Sequence, residues 1–214
     1  MKPDSTLFPA LDSGSTVEPV GQDRAGGRDV DDDRVDTRLV DEARGGEAGA
    51  LETLLTRHEG RVLRVLRLMG VPAQDREDVA QEVLLRVFRH LGRFQRGRPF
   101  RSWIYRIAVN AAHDYRVRRG RTAGEAPLDP VVELRDREPD PETAAERRDL
   151  QERLFRAMGH LTDRERAVFS LVEIEGLETA EVAHALGIAR VTVRRHLGLA
   201  RRRLEKAFDP GATR

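Results

Sequence analysis

Two stretches of apolar residues recur at helical spacing along this chain, and an acidic, proline-rich segment separates them. The stretches span residues 38–119 and 148–206, and in both the apolar side chains return about every 3.6 positions. Neither stretch has the strict alternation of apolar and polar residues that marks a half-buried β-strand, and the chain has no internal repeat. The sequence therefore predicts an all-α fold of two small helical domains joined by a flexible linker.

The domain boundaries follow from changes in composition. Residues 1–37 are rich in Gly, Pro, Ser and Asp and lack an apolar period, so we expect a disordered acidic N-terminal extension. It either shields a basic surface or is a plain solvated extension. Residues 38–122 form the first helical domain, and residues 123–147, with four prolines, form an acidic linker. Residues 148–208 form the second helical domain, and residues 209–214 form a tail.

Charge is unevenly distributed along the chain, although its net value is only +1. The first domain holds 18 basic and 10 acidic side chains, whereas the linker holds 3 and 8. A basic block suits a polyanion such as nucleic acid, but a solvated surface explains it equally well. The chain has no cysteine, no apolar run long enough for a membrane helix and no signal-peptide pattern at its start. We expect a cytoplasmic protein without disulfides and without membrane association.

Aromatic residues are concentrated among arginines. Six of the ten aromatic side chains lie within residues 88–115, although the chain has 214 residues. Unstacked bases lie on aromatic rings, worth about 1–3 kcal/mol each, while arginines follow the phosphate backbone. The pattern predicts a single-strand site, and the alternative is that Phe100 and Trp103 are core residues. The candidate residues are Arg93, Phe94, Phe100, Ser102, Trp103, Arg106, Asn110, Arg116, Arg118 and Arg119.

The segment before the aromatic cluster predicts an amphipathic helix over residues 75–91, with Asp75 as its N-cap. Its apolar stripe consists of Val79, Val83, Leu84, Val87, Phe88 and Leu91. Its polar face includes Asp75, Asp78, Gln81, Glu82 and Arg86. No histidine completes a metal-binding carboxylate cluster there, and an acidic face does not bind DNA. The face is either solvated or a docking surface for a basic protein partner.

The second domain contains the spacing of a helix-turn-helix. Thr162 and Glu165 predict a capping box, Thr179 caps a short helix, and Gly187 supplies the turn before a basic helix. Residues near the start of such a helix reach base edges in the major groove, where arginine pairs with guanine. The alternative is an ordinary helical hairpin with a basic surface. The candidate DNA contacts are Arg190, Val191, Thr192, Arg194, Arg195 and His196.

Three motifs, taken together and in this order, resemble the sigma-70 family of bacterial RNA polymerase initiation factors, specifically its extracytoplasmic-function (ECF) group. They are "DREDVAQEVLLRVFRHLGRF", "FRSWIYRIAVNAAHDYRVRR" and "LTDRERAVFSLVEIEGLETAEVAHALGIARVTVRRHLGLARRRL". The first two strings are highly specific in combination. The third also resembles LuxR-type regulators. The likeness covers residues 38–122 and 148–206.

This resemblance implies a role for each domain. The first domain would be sigma region 2, docking on the clamp helices of core RNA polymerase through Asp75–Arg86. Its segment Arg93–Asn110, with the arginines that follow, would capture and melt the minus-ten promoter element. The second domain would be sigma region 4, reading the minus-thirty-five element through Arg190–His196 and touching the polymerase flap. Ala189, Arg190 and Val191 stand where the family often has a capping Ser or Thr followed by small residues.

The resemblance also implies partners and excludes others. Core RNA polymerase, duplex promoter DNA, melted single-stranded DNA and an anti-sigma protein are the expected partners, with no cofactor and no metal ion. Such factors are not enzymes, and no nucleophile–base pair, phosphate loop or metal spacing in the sequence suggests catalysis. The competing interpretation is a free-standing, LuxR-like helix-turn-helix regulator that binds duplex DNA. Such a regulator needs neither the aromatic cluster nor the acidic helix.

Overall fold

All regular structure is helical within residues 27–120 and 141–208, the part of the chain that the computed structural model describes. The first domain contains α1 (Gly27–Arg44), α2 (Ala50–Leu68), α3 (Ala73–His90) and α4 (Phe100–Gly120). The second contains α5 (Pro141–Met158), α6 (Asp163–Phe169), α7 (Thr179–Leu186) and α8 (Arg190–Phe208). A 3₁₀ turn, Leu91–Arg93, follows α3, and a π-helical turn, Ser170–Ile174, continues α6. The prediction of an all-α fold with two helical domains is confirmed.

The acidic N-terminal extension was expected to be disordered through residue 37, but residues 27–37 belong to α1. Asp32 accepts hydrogen bonds from Arg57 and Arg61 of α2 at 3.0 and 3.1 Å. Asp36 is buried and lies 2.7 Å from the ring nitrogen of His58. These acids are therefore charge partners of α2, which is why this part of the extension is ordered. Residues 1–26 lie outside the described residues.

The linker also differs from its expected bounds. Residues 141–147, assigned to the linker from their composition, form the first part of α5. Proline at the first position of a helix loses no hydrogen bond, because that amide has no intrahelical partner, so Pro141 is compatible with this start. Residues 121–140 and the tail at residues 209–214 lie outside the described residues.

The core of the first domain is built from the helical stripes that the sequence predicted. In α2 the buried side chains include Leu54, His58, Val62 and Val65, and in α3 they include Val79, Val83 and Val87. Helix α3 begins at Ala73 after Pro72, so Asp75 lies in its first turn and is not its N-cap. Helix α4 is buried along more than one face. Ile104, Ala108 and Ala112 are buried on one side, and Tyr105 and Val109 are buried beside them.

The second domain is a compact helix-turn-helix. Thr162 and Glu165 form the predicted capping box at the start of α6. Helix α7 is capped by a reciprocal pair, Glu178 and Glu181, and not by Thr179, which is its first residue. Gly187 ends α7 at φ 65°, a left-handed conformation that glycine adopts without steric cost. The turn between α7 and α8 is therefore confirmed.

The two domains pack against each other, an arrangement that the expected flexible tether did not predict. A single cluster of buried apolar side chains has members in both domains, because α7 and the segment before it cover α4. Arg166 of α6 is buried and donates to the carbonyl oxygens of Met158 at 2.9 Å and of Met69, in the first domain, at 3.4 Å. Burial, followed by the nearby Arg116, lowers the pKa of Arg166 to about 10, so its guanidinium remains charged at neutral pH.

Ion pairs surround this shared core. Arg101 of α4 pairs with Glu181 of α7 at 3.2 Å. Asp163, the first residue of α6, lies 2.9 Å from the His113 ring nitrogen and also pairs with Arg116. All three contacts join the first domain to the second. None of the described helices is long and apolar enough to cross a membrane.

Candidate nucleic-acid and polymerase interfaces

The first two turns of helix α8 have one side exposed to solvent. Arg190, Val191, Arg194 and Arg195 are exposed, and Thr192 and His196 are half-buried. Val193 and Leu197 lie on the opposite side and are buried in the domain core. The six residues predicted to contact duplex DNA therefore share one accessible surface, which carries three guanidinium groups. This exposed cationic surface can bind phosphates and can pair with guanine edges.

His196 contributes no charge to that surface at neutral pH. Burial is the main cause that lowers its pKa below the ordinary value, with further lowering by Arg164 and Arg195 and opposition from Glu165. Its Nδ1 atom is buried and has no hydrogen-bond partner among the described residues. The cationic contacts on this surface are therefore left to the arginines.

The aromatic cluster beside α4 is organised around Phe100. Its ring centroid lies 5.1 Å from that of His58 and 5.5 Å from those of Phe94 and Trp103. Phe94 and Phe100 are buried, whereas Trp103 is half-buried. In this packed arrangement neither phenylalanine offers a free face to a base, contrary to the stacking surface that we expected. The alternative interpretation, a core position, applies to Phe100, and its ring supports Trp103 from behind.

A cleft opens next to Trp103 at the junction of the two domains. Five of the residues predicted for single-strand binding line it, namely Arg93, Phe94, Ser102, Trp103 and Arg106. Gln95, Arg98 and Pro99 from the loop before α4 join them, and His184 and Ala185 of α7 close the opposite side. The structure thus brings five of the ten predicted residues together at the cleft but places a helix of the second domain against them. Asn110 lies further along α4, half-buried, with its side-chain oxygen buried.

The arginines at the end of α4 are held in ion pairs. Arg116 pairs with Asp163 of the second domain. Arg118 pairs with Glu82 at 3.0 Å, and Arg119 pairs with Asp75 at 2.7 Å. Two of the predicted single-strand arginines, Arg118 and Arg119, are therefore partners of two predicted polymerase-binding acids, Glu82 and Asp75.

Helix α3 carries an exposed stripe with both acidic and apolar members. Asp78 and Gln81 are exposed, and so are Leu85 and Phe88, whose exposed fractions are 52% and 64%. Phe88, which the sequence predicted to belong to the apolar stripe of this helix, is exposed, and so is Leu85, which was not predicted to lie in either face. Helical spacing could have predicted that these two residues are exposed. Leu85 lies seven positions after Asp78, and Phe88 lies seven positions after Gln81, so each apolar residue shares a face with an exposed polar residue.

The other predicted docking residues lie beside this stripe and have intramolecular partners. Glu82 accepts from Arg86 at 2.5 Å, and Arg86 also donates to Asp114 of α4 at 2.8 Å. Asp75 accepts a 2.5 Å hydrogen bond from the Tyr115 hydroxyl. Burial alone would raise the pKa of Glu82, but hydrogen bonds from Arg118 and Arg86 lower it overall, so the carboxylate is ionised. These pairs attach α3 to the end of α4.

Comparison with known proteins finds two family matches that follow the division into domains. Residues 54–122 match the model of sigma-70 region 2, and residues 151–204 match the model of sigma-70 region 4. The RNA polymerase sigma-H factor of Pseudomonas aeruginosa is 30% identical over 186 residues, which cover 82% of this chain and 94% of that protein. The ECF RNA polymerase sigma factor SigM of Mycobacterium tuberculosis is 32% identical over 188 residues, covering 88% of this chain and 92% of that protein.

A solved structure has the same fold. The sigma factor CnrH, in a complex with the cytosolic domain of CnrY, superposes with a TM-score of 0.62 at 26% identity, covering 83% of this chain and 99% of CnrH. The matched residues include the α3 stripe and most of helix α8. The chain therefore belongs to the sigma-70 family of RNA polymerase sigma factors, within its ECF group.

Proposed function

We propose that this chain binds core RNA polymerase and directs it to promoters by reading the minus-thirty-five and minus-ten elements and melting the DNA. The observation that carries the proposal is the exposed stripe of α3, Asp78, Gln81, Leu85 and Phe88. Two large apolar side chains in solvent beside an acid are typical of a protein-binding surface. A regulator that reads duplex DNA alone has no use for this stripe, so the LuxR-like alternative is not favoured.

The DNA-binding roles are divided between the domains. Helix α8 supplies the contacts to the duplex minus-thirty-five element through its exposed arginines, Arg190, Arg194 and Arg195. The interdomain cleft supplies the contacts to the melted minus-ten strand, with Trp103 as the stacking surface and Arg106 as a phosphate contact. His184 and Ala185 of α7 line the opposite side of this cleft. Single-strand binding therefore requires α7 to move away from α4.

An anti-sigma protein is the expected regulator. The similar protein CnrH was solved in a complex with the cytosolic domain of CnrY, which supports a partner of this class for the present chain. In this proposal the polymerase carries out phosphodiester chemistry, and the chain only selects the start site. It acts where the polymerase and chromosome are, in the bacterial cytoplasm.

The proposal is tested by co-elution of the chain with sigma-free core RNA polymerase in gel filtration. Asp78→Arg and Phe88→Asp should each reduce co-elution strongly while leaving the fold intact, because both side chains are exposed. Asp78 is a sharper choice than Glu82, whose replacement would also break the pairs with Arg86 and Arg118.

Glu59→Arg is the matched control, since Glu59 is an exposed acid on α2, away from the stripe. It should co-elute as the unaltered chain does. If the unaltered chain fails to bind the polymerase, the sigma-factor proposal is wrong. If it binds and neither stripe variant weakens the complex, the docking surface lies elsewhere.

A further inference from the structure

Helix α1 contacts the turn that leads from α3 towards the interdomain cleft. The helix ends at Arg44, so it lies entirely before residue 54, where the match to sigma-70 region 2 starts. The α3 stripe, the α8 surface and the cleft are all formed by other segments. The side chain of Arg44 nevertheless reaches Leu91, 47 positions later in the sequence. This long-range contact indicates that α1 helps to shape the turn.

Arg44 donates hydrogen bonds to three main-chain carbonyl oxygens. Its Nε and Nη2 atoms lie 3.2 and 2.7 Å from the Leu91 oxygen. Its Nη2 atom also lies 3.1 Å from the Gly92 oxygen and 2.5 Å from the Phe94 oxygen. The last carbonyl groups of a helix have no partner within that helix, and an arginine beside the helix end can satisfy them. Because the donor is charged, these hydrogen bonds are stronger than neutral ones, and they fix the main chain where α3 ends.

A second contact joins α1 to the same loop. Asp41, one turn before Arg44, accepts hydrogen bonds from Arg96, whose Nε and Nη2 atoms lie 2.9 and 2.8 Å from one carboxylate oxygen. The Arg96 side chain is 68% exposed, and exposed ion pairs contribute little to stability. Arg44 is therefore the main attachment of the loop to α1.

The turn that Arg44 holds carries an aromatic ring of the cleft. Phe94 is buried, and its ring centroid lies 5.5 Å from that of Phe100 and 5.5 Å from that of Trp103. Phe94 and Trp103 both line the cleft. The Phe94 carbonyl oxygen is one of the three acceptors, so a change at Arg44 can displace the Phe94 ring and remove support from Trp103.

We propose that Arg44 is a positioning residue for the single-strand site, because it fixes the turn that places Phe94 against Trp103. This inference rests on the proposed function, in which Trp103 stacks on a base of the minus-ten strand. Arg44 itself does not touch the DNA. A loop that is already held in its binding conformation loses less conformational entropy when the strand binds. Without Arg44 the turn must be ordered during binding, so capture of the strand becomes weaker.

The first test uses the full chain without polymerase, and its signal is the fluorescence of Trp103, the sole tryptophan. Arg44→Gln should increase quenching by acrylamide, because displacement of Phe94 exposes more of the indole. Arg44→Lys keeps the charge but lacks the planar set of donors, so its quenching should be intermediate. The matched control is Arg38→Gln, since Arg38 is an exposed arginine of α1 that pairs with Glu42 of the same helix. It should be quenched as the unaltered chain is.

The second test uses the complex with RNA polymerase and a promoter that the unaltered complex opens, followed by permanganate reactivity of thymines. Arg44→Gln should reduce open-complex formation about tenfold, while co-elution with polymerase and binding of minus-thirty-five duplex stay unchanged. Arg44→Lys should recover part of the reactivity. All assays are run well below the lowest unfolding midpoint of the variants, so that every chain is folded.

The proposal is wrong if Arg44→Gln leaves the quenching of Trp103 unchanged or opens the promoter as fully as the unaltered chain does. An equal loss of polymerase co-elution, duplex binding and opening would also overturn it, because such a loss indicates a general role in stability. If the unaltered chain does not bind polymerase, the proposed function fails. The quenching of Trp103 still decides in that case whether Arg44 positions the aromatic rings.

Discussion

Tyr105 and Glu175, seventy positions apart in the sequence, are joined across the two domains by a 2.7 Å hydrogen bond from the phenol to the carboxylate. The Glu175 side chain is only 3% exposed and also accepts a 2.6 Å hydrogen bond from Arg64 of α2. Burial and then the neighbouring Glu175 carboxylate raise the pKa of Tyr105, so the phenol is a neutral donor. Because Tyr105 and Arg64 both belong to the other domain, this buried carboxylate keeps these two partners only while the domains are packed.

Replacement of Tyr105 by phenylalanine should therefore weaken the association of the domains. The change removes one hydrogen bond to a charged group, which is worth about 1.5–3 kcal/mol, and leaves the Arg64 pair in place. Small-angle X-ray scattering should show a larger radius of gyration for Tyr105→Phe than for the unaltered chain.

Tyr115→Phe is the matched control for this experiment. The Tyr115 hydroxyl donates to Asp75 within the first domain, so its loss should lower stability without separating the domains. An equal expansion in both variants, or in neither, would contradict the role assigned to the Tyr105–Glu175 contact.

A second prediction concerns duplex DNA. Arg194 and Arg195 are exposed even in the packed arrangement, so replacing both by alanine should weaken binding to minus-thirty-five duplex DNA by about 1–3 kcal/mol for each lost base contact. If one of them contacts a phosphate instead, the slope of log affinity against log salt should fall by about 1. Affinity measured by fluorescence anisotropy over a salt series separates the two cases. Unchanged affinity and slope would remove both arginines from the DNA interface.

A third prediction separates melting from duplex binding. Arg106→Gln should preserve polymerase binding and minus-thirty-five recognition but reduce open-complex formation, measured by permanganate reactivity of thymines. The change removes a cation whose burial lowers its pKa, so the loss of this charge should not destabilise the fold. Arg89→Gln, an exposed arginine on α3, controls for loss of charge alone. Full permanganate reactivity with Arg106→Gln would exclude this residue from melting.

A fourth prediction concerns pH. Burial, then Arg98 and Arg106, lower the pKa of His184, so the folded chain favours the neutral imidazole. The unfolded chain takes up this proton near the ordinary value of about 6.5, and the folded chain does so only at lower pH. His184 therefore reduces stability as the pH falls below about 6.5. Thermal unfolding at about pH 7.5 and about pH 5.5 should show a smaller difference for His184→Gln than for the unaltered chain.

His196 has a pKa lowered in the same direction, so His184→Gln should remove only part of the pH dependence. His196→Gln provides the comparison, because that residue lies on α8, outside the cleft between the domains. A pH dependence that neither substitution reduces would contradict the assignment to these two imidazoles.

The sequence was sufficient for α3 and for the helix-turn-helix, because both depend on local signals. Spacing at Val79, Val83 and Val87 and the turn at Gly187 need no tertiary information. Asp36 shows the limit of composition, since an acid in a polar extension looks solvated until α2 supplies His58 as its partner. Local pattern equally could not show that α7 covers α4, because the ion pairs and apolar contacts between them join residues far apart in the chain.

The interface around Glu175 has a further consequence, because both of its halves belong to one polypeptide. Dilution cannot separate them, since each domain is held near the other at an effective concentration set by the intervening chain. An external molecule that engages one domain only must compete with this local concentration. A partner that binds both domains at once gains the same advantage of effective concentration as the packed arrangement does. Promoter selection therefore begins with a competition between two states of the chain. In one state the two domains bind each other, and in the other both domains bind the same partner.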